Sequence, residues 1–248
     1  MRVVLLHGFT QGPGSWAGIA ERLAGEHDLV IPTLPGHDGA GEITGTFEEE
    51  VAALAEAVGP PPAVWVGYSM GGRLTLRIAL ERPDLVERLV LLGATAGLAD
   101  PAEREARCRR DETLASGLER KGLEQFLTGW LNQELFKRLP AEAAGLDERR
   151  RNTVEGLASA LRRLGTGAQE PLWDRLGELR MPVLLMAGEH DSTFSALAFR
   201  LAAGIGDGAG VSFVPGAGHA AHLERPEAFA TILGRFLGHG SGSSSGDP

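Results

Sequence analysis

A serine stands at the centre of the most informative stretch of this sequence, GYSMG at 67–71. This G-x-S-x-G pattern follows an apolar run at 63–67 and precedes a helical pattern at 70–81, so it predicts a tight turn from a strand into a helix. Glycines two residues to either side leave room for a turn in which larger side chains would collide. The turn exposes the hydroxyl above the sheet edge, and it predicts that Ser69 is a catalytic residue.

A serine hydroxyl needs a base that takes its proton, and an imidazole is a common one. His219 directly follows the last apolar run, whereas His222 is expected to pack or hydrogen-bond beside it. Asp191 follows the preceding apolar run and is the expected orienting acid; Glu189, two residues earlier, is its nearest rival. The chain order serine, aspartate, histidine is the one that accompanies this type of turn. We therefore predict that Ser69, Asp191 and His219 form a catalytic triad.

The motif HGF at 7–9 ends the first apolar run. A glycine there lets the backbone pass close to the reacting atoms, so the N–H of Phe9 can point at a developing negative charge. The N–H of Met70, the residue after the serine, is the second predicted donor of this oxyanion hole. We expect the side chains of His7 and His37 to shape the neighbouring turns by hydrogen bonding.

Short apolar runs alternate with helical patterns, which predicts an α/β fold with a mainly parallel sheet of about six strands flanked by helices. The predicted strands are 2–6, 28–31, 63–67, 88–92, 182–187 and 211–214. The predicted helices are 15–25, 46–58, 70–81, 193–203 and 226–238.

The stretch 97–170 breaks this alternation, because it shows helical periodicity and no convincing strand. It predicts a helical cap inserted between two strands of the sheet. Residues 1–96 and 171–239 are expected to form the α/β core. The tail 240–248, GSGSSSGDP, is too polar and too rich in glycine and serine to pack, and we expect it to be disordered.

Composition restricts the partners of the protein. A chain of 248 residues with 43% hydrophobic and 23% charged residues suits one globular domain, which we expect to be a monomer. The net charge of −9 argues against binding to nucleic acid or to an anionic membrane surface. Cys108 is the single cysteine, so no intrachain disulfide can form, and we expect a cytoplasmic location.

These motifs resemble those of the α/β-hydrolase superfamily, and over residues 2–237 the chain resembles one branch more closely, the 2-succinyl-6-hydroxy-2,4-cyclohexadiene-1-carboxylate (SHCHC) synthases of menaquinone biosynthesis. The serine motif is common to the superfamily, whereas the cap sequence and the histidine region are more specific to this branch. The matching segments are LLHGF (5–9), TLPGHDG (33–39), VGYSMGGR (66–73), AEREARCRRD (102–111), GW (129–130), RNTVEGLASALRRLGTGAQEPLW (151–173), GEHDSTFSALA (188–198) and GAGHAAHLERPE (216–227).

The resemblance implies an α/β-hydrolase-fold lyase that eliminates pyruvate from an enolpyruvyl-bearing cyclohexene carboxylate, with the triad acting as a general base. It implies neither a cofactor nor a metal. Arg73, Arg107 and Arg151 occupy positions at which the family places carboxylate-binding arginines, and Tyr68 and Trp130 match its aromatic pocket residues. Because guanidinium pairs bidentately with carboxylate, these arginines fit a multiply charged anionic substrate.

The second loop departs from the family, since Asp38 stands where the usual motif is GHG, and it adds a carboxylate near the expected anion site. The main alternative is a serine carboxylesterase or C–C bond hydrolase that uses the same triad. The expected arginines favour the lyase, because a pocket for neutral esters gains nothing from them. A third alternative is a binding module on an inactive scaffold, and the intact triad argues against it.

Overall fold

The computed structural model describes residues 1–238, and the predicted tail at 240–248 lies outside the described residues. Six strands form one sheet, and every neighbouring pair is parallel. The strands are β1 (Arg2–Leu6), β2 (Asp28–Val30), β3 (Ala63–Tyr68), β4 (Val86–Leu92), β5 (Val183–Gly188) and β6 (Ala209–Val214). Their order is β2-β1-β3-β4-β5-β6, which confirms the predicted six-stranded parallel sheet.

Helices cover both faces of this sheet. Alternate residues of each strand point to opposite sides, so the apolar side chains on both faces pack against helices. The helices of the core are α1 (Ala17–Leu23), α2 (Phe47–Val58), α3 (Met70–Glu81), α8 (Ser192–Ile205), α9 (Ala221–Glu224) and α10 (Pro226–Gly238). Val4 and Leu6 pack under α2 and α3, whereas Val3 and Leu5 pack under α1 and α10. The central strand β3 is buried throughout, so the serine turn that follows it stands on a rigid base.

The segment between β4 and β5 contains four α-helices, together with short 3-10 turns, and no strand within the described residues. The α-helices are α4 (Pro101–Lys121), α5 (Leu123–Leu131), α6 (Leu146–Arg149) and α7 (Val154–Leu164). Asp100 caps α4 by accepting hydrogen bonds from two backbone N–H groups of its first turn, and Thr153 caps α7 in the same way with one.

This helical cap has a small apolar core of its own, where α4 packs against α7. Leu118, Leu157 and Leu161 are the large side chains of that core. Phe9, from the loop after β1, packs against it from below and so joins the cap to the sheet. Among residues 1–238, the helices are too short or too polar to cross a lipid bilayer.

Candidate active site

Ser69 lies in a strained turn between β3 and α3. Its φ angle is +51°, in the left-handed region that residues with a Cβ rarely adopt. A Cβ at Gly67 would lie 2.4 Å from the Thr75 hydroxyl oxygen, and a Cβ at Gly71 would lie 2.5 Å from the carbonyl oxygen of His7. Both glycines of the motif are therefore required by the close approach of neighbouring atoms, and the turn delivers the serine to the carboxyl end of the sheet.

Three distant parts of the chain converge at this serine. The Nδ1–H of His219 donates to Asp191 Oδ2 at 2.8 Å, because a carboxylate can only accept, and Nε2 then faces Ser69 Oγ at 3.3 Å. The other oxygen of Asp191 accepts from the backbone N–H of Phe194 at 3.1 Å, at the start of α8. The imidazole and the carboxylate are buried, and the serine is partly exposed. The structure thus brings the three predicted triad residues together.

Glu189, the rival acid, lies elsewhere. Its exposed carboxylate accepts from the backbone N–H of Gly216 at 2.8 Å and supports the loop that leads to His219. Its hydrogen bond is made to the backbone and not to the imidazole, so Asp191 is the acid that orients the ring.

Phe9 and Met70 both line the cavity that opens above Ser69. Met70 is the first residue of α3, and the first N–H groups of a helix have no acceptor within it. The loop that carries Phe9 is fixed one residue earlier, where the N–H of Gly8 donates to Gln11 Oε1 at 2.8 Å. Two backbone segments that could donate to an oxyanion therefore border the same space as the serine.

Two histidines near the site hold turns, as predicted. His7 joins two loops, because Nδ1–H donates to the Gly8 carbonyl at 2.9 Å and Nε2 accepts from the N–H of Leu34 at 3.2 Å. His37 donates from Nδ1 to the carbonyl of Pro35 at 2.8 Å. Burial lowers the pKa of His7 to about 3 and that of His37 to about 4, so both rings are neutral at physiological pH.

His222 packs between the rings of Trp16 and Tyr68, with ring centroids 4.5 and 4.4 Å away. Burial and, to a smaller extent, the nearby charge of Arg149 lower the pKa of His222 to about 3. Of the two expectations for His222, packing is the one that the structure supports.

Arg73 and Arg107 reach the cavity from opposite sides, one from the core and one from the cap. The buried guanidinium of Arg73 donates to the Leu164 carbonyl at 2.6 Å and to Gln169 Oε1 at 3.1 Å, which ties α3 to the cap. Burial and the charge of Arg107 lower the pKa of Arg73 to about 9, so it is still a cation at neutral pH. The Nε–H of Arg107 donates to both oxygens of the buried Asp111, at 2.8 and 3.0 Å, which fixes the direction of its guanidinium.

Arg151 does not reach the cavity, which corrects the expectation that it binds substrate. Its Nε lies 2.6 Å from a carboxylate oxygen of Asp38, and its side chain is 57% exposed. Asp38 is the residue that departs from the family motif, so the departure supplies an ion-pair partner for Arg151, which also lies 3.7 Å from a carboxylate oxygen of Glu148. Within the described residues, the cavity lining includes the nearby Arg149 instead.

Arg149 is a charged residue of the cavity lining that the sequence did not indicate. It is the last residue of α6 and is 1% exposed. Its Nε–H donates to the Ala144 carbonyl at 2.7 Å, and Nη1 donates to the hydroxyl of Thr10. Arg149, Arg150 and Arg151 are consecutive, and a helix of four residues gives no periodicity from which the inward-facing arginine could be identified.

Aromatic rings form the apolar wall of the cavity. Trp130 packs edge-to-face against Phe9 with ring centroids 4.9 Å apart and also contacts Phe126 and Phe136. The indole Nε1–H of Trp130 is buried without a hydrogen-bond acceptor in residues 1–238, so it is a donor available to a bound molecule. Tyr68 lines the same cavity, and burial raises the pKa of its hydroxyl well above the ordinary value.

The cavity thus combines a base triad, backbone donors for an oxyanion and three guanidinium groups. Such a site can take a proton from a carbon acid, or acylate a serine, next to a group that carries negative charge. The guanidiniums favour a bound molecule with several carboxylates.

Comparisons with known proteins identify the family to which the chain belongs. The profile of the alpha/beta hydrolase family matches residues 3–232. The chain is 33% identical over 242 residues to the 2-succinyl-6-hydroxy-2,4-cyclohexadiene-1-carboxylate synthase of Serratia proteamaculans (strain 568), covering 95% of this chain and 92% of that protein. It is 36% identical over 247 residues to a Bacillus subtilis (strain 168) protein that carries the same name provisionally, covering 95% of this chain and 89% of the relative.

A solved structure is also similar to this chain over nearly its whole length. The structure of MenH from S. aureus superposes with a TM-score of 0.90 at 28% sequence identity, over 96% of this chain and 93% of that one. The helical cap and the sheet are therefore shared over nearly the whole length. The chain is an enzyme of the α/β-hydrolase fold, and it belongs to the alpha/beta hydrolase family, in the branch of the SHCHC synthases.

Proposed function

We propose that this enzyme is a carbon–oxygen lyase that eliminates pyruvate from an enolpyruvyl cyclohexene carboxylate and forms 2-succinyl-6-hydroxy-2,4-cyclohexadiene-1-carboxylate. The observation that carries the proposal is the presence of Arg73, Arg107 and Arg149 in one cavity with the triad. Three guanidiniums suit a substrate with several carboxylates, since each can pair bidentately with one of them. The names of the relatives support the same reaction.

The first step of the proposed reaction is proton abstraction. Ser69 Oγ takes the proton from the ring carbon next to the succinyl carbonyl, while His219 Nε2 accepts the proton of the hydroxyl. Asp191 stabilises the imidazolium that forms, because its carboxylate already accepts from Nδ1–H. The separation of 3.3 Å between Oγ and Nε2 suits this transfer once substrate closes the site, since catalytic hydrogen bonds tighten in the bound complex.

The second step is expulsion of the leaving group. The electron pair of the broken C–H bond passes through the ring and breaks the C–O bond to the enolpyruvyl group. The enolate of pyruvate leaves, and the proton held by His219 returns to it through Ser69, which yields pyruvate and restores the neutral triad. Water is not consumed, so the balance is that of a lyase.

The backbone N–H groups of Phe9 and Met70 are proposed to stabilise the enolate oxygen that develops on the succinyl carbonyl. Donors of this type lower the barrier because they point at the site of charge before the charge forms. Removal of one such donor typically costs about 10²- to 10³-fold in rate. Tyr68 and Trp130 are proposed to enclose the ring, and the free indole N–H of Trp130 is available to one of its oxygens.

A serine carboxylesterase or C–C bond hydrolase with the same triad is the competing assignment. Arg107 is already paired with Asp111, but a neutral ester would leave the buried guanidiniums of Arg73 and Arg149 without a directly paired carboxylate, which is unfavourable. The test is to supply the purified protein with the enolpyruvyl precursor and with p-nitrophenyl esters. Pyruvate release with formation of the conjugated diene is expected. Rapid ester hydrolysis together with an unchanged precursor would contradict the assignment.

We also propose that the enzyme acts as a monomer in the cytoplasm and binds neither nucleic acid nor membrane. The net charge of −9 supports the exclusion of polyanionic partners, and a single cysteine fits a reducing compartment. Sedimentation analysis of the purified protein tests the monomer, and a dimer at micromolar concentration would contradict it.

A further inference from the structure

Glu224 is a buried carboxylate to which the proposed reaction assigns no task. It is the last residue of α9 and is 5% exposed. A buried carboxylate is costly unless its oxygens accept hydrogen bonds. The partners of Glu224 therefore indicate what it does.

Its two oxygens accept from the backbone on both sides of His219. The N–H of Gly218 donates to Oε2 at 2.5 Å, and the N–H of Ala220 donates to Oε1 at 3.0 Å. Gly218, His219 and Ala220 are all buried, so water does not compete for these two N–H groups. One carboxylate thus bridges the residues that immediately precede and follow the imidazole-bearing residue.

The hydrogen bonds that join this loop to the neighbouring turn act farther from the imidazole. Gly216 donates to the exposed Glu189 at 2.8 Å, and the carbonyl of Ala217 accepts from the N–H of His190 at 2.9 Å. These bonds join the loop to the turn that carries Asp191, but they end at residue 217. Beyond that residue, the Ala220 carbonyl accepts from the N–H groups of Leu223 and Glu224 at 2.8 and 2.9 Å. The N–H groups of Gly218 and Ala220 are held by the side chain of Glu224.

We propose that Glu224 is a positioning residue that fixes the backbone of His219, so that the imidazole meets Asp191 and Ser69 at the same time. This inference rests on the proposed use of His219 as the general base. The ring has hydrogen bonds at both ends, to Asp191 at 2.8 Å and to Ser69 at 3.3 Å, so a backbone shift that preserves one contact lengthens the other. A displacement of about 1 Å at a reacting group can cost about 10²-fold in rate.

The test compares two variants of Glu224 with a matched control. Glu224→Ala removes both acceptors, whereas Glu224→Gln keeps one oxygen and opposes the second backbone N–H with another donor. Glu189→Gln is the control, because Glu189 is also a carboxylate that accepts from this loop but does so at Gly216. Thermal unfolding identifies any variant that does not fold, and if the alanine variant fails, the glutamine variant decides.

Two readouts separate this inference from the proposed function. The first is kcat and KM for pyruvate release from the enolpyruvyl precursor. The second is the rate of Ser69 modification by phenylmethylsulfonyl fluoride, which needs the His219–Ser69 contact but no precursor. We expect Glu224→Gln to lower kcat and the modification rate by about tenfold or more, with KM within about twofold of the wild type, and Glu189→Gln to change neither.

Equal kcat and equal Ser69 modification in the folded Glu224 variants and the wild type would overturn the inference, as would a change confined to KM or to thermal stability. If the wild type reacts with phenylmethylsulfonyl fluoride but releases no pyruvate, the proposed function fails by itself. In that case slower modification of Glu224→Gln would still support the role of Glu224.

Discussion

The sheet and the cap supply the site in different ways. The sheet contributes Ser69, Asp191 and His219 from loops at its carboxyl edge, and each of these residues follows a strand. The cap contributes Arg107 and Arg149 from helices, where direction depends on helix phase and on local partners. A residue that follows a strand lies at the carboxyl edge of the sheet because of the fold topology. The direction of a side chain on a short helix depends instead on how that helix packs against its neighbours.

This difference explains which parts of the site could be predicted. The order of the triad and the glycines beside Ser69 are constraints of the turn itself, because a Cβ at Gly67 or Gly71 would lie only 2.4 or 2.5 Å from a neighbouring atom. Arg149 could not be identified, because three adjacent arginines look equivalent until α6 is folded. The pairing of Asp38 with Arg151 is a long-range contact, and the direction of Asp38 could not be read from its neighbours.

The secondary structure was likewise easier to predict in continuous apolar runs than where polar residues interrupt a strand. The buried strands β1 and β3 lie where their apolar runs predict them. Strand β4 begins at Val86 and not at 88, because Val86 pairs with Ala63 of β3 before the polar side chains at 87 and 88. The hydrogen bonds of Glu224 could not be predicted either, because its motif contains several polar residues and only the folded loop shows which N–H groups donate to its carboxylate.

The largest expected effect is at the triad. Ser69→Ala should lower kcat for pyruvate release by about 10³-fold or more, because general-base transfer at a positioned group contributes about 10²- to 10⁴-fold. The serine is partly exposed and makes no contact on which the core depends, so thermal unfolding should be unchanged. A variant that keeps a tenth of wild-type activity would remove Ser69 from the mechanism.

The next effect distinguishes two nearby arginines of the cap, Arg149 and Arg151. Arg149→Gln should raise KM for the anionic precursor by about 10- to 100-fold, since a hydrogen bond to a charged partner is worth about 1.5–3 kcal/mol. Arg151→Gln is the matched control and should change KM by less than about twofold, because its partner is Asp38 at the surface. Steady-state kinetics with thermal unfolding measures both, and a larger effect at residue 151 would reverse the assignment.

The free energy of unfolding should fall in acid, because three histidines are buried near the site. The pKa values of His7, His37 and His222 are lowered by burial to about 3, 4 and 3. Below about pH 6.5 the unfolded chain takes up protons that the folded chain excludes, so stability falls as the pH falls toward 4. Each histidine contributes up to about 1.4 kcal/mol per pH unit.

Urea unfolding at pH 7, 6 and 5 measures this dependence. His222→Phe should reduce the slope by one proton, because it keeps a packed ring that cannot titrate. Stability that is constant between pH 7 and 5 would show that the buried rings take up protons in the folded state.

The smallest effect concerns the departure from the family motif. Asp38→Asn breaks the ion pair with Arg151, whose side chain is 57% exposed, so the free energy of unfolding should change by less than about 1 kcal/mol. Urea unfolding of this variant measures the change. If KM for the precursor falls, then the released Arg151 reaches the substrate, and the separation of the two arginines is a property of Asp38 alone.

In the proposed mechanism the triad removes a proton from carbon and forms no covalent intermediate. The direct test is a single-turnover reaction with precursor that carries deuterium on the ring carbon next to the succinyl carbonyl. Pyruvate release should be slower than with the protium compound, and the mass of the enzyme should stay unchanged throughout the turnover. Equal rates for the two compounds, together with an adduct on Ser69 that forms and decays, would show that the serine acts as a nucleophile and not as a base.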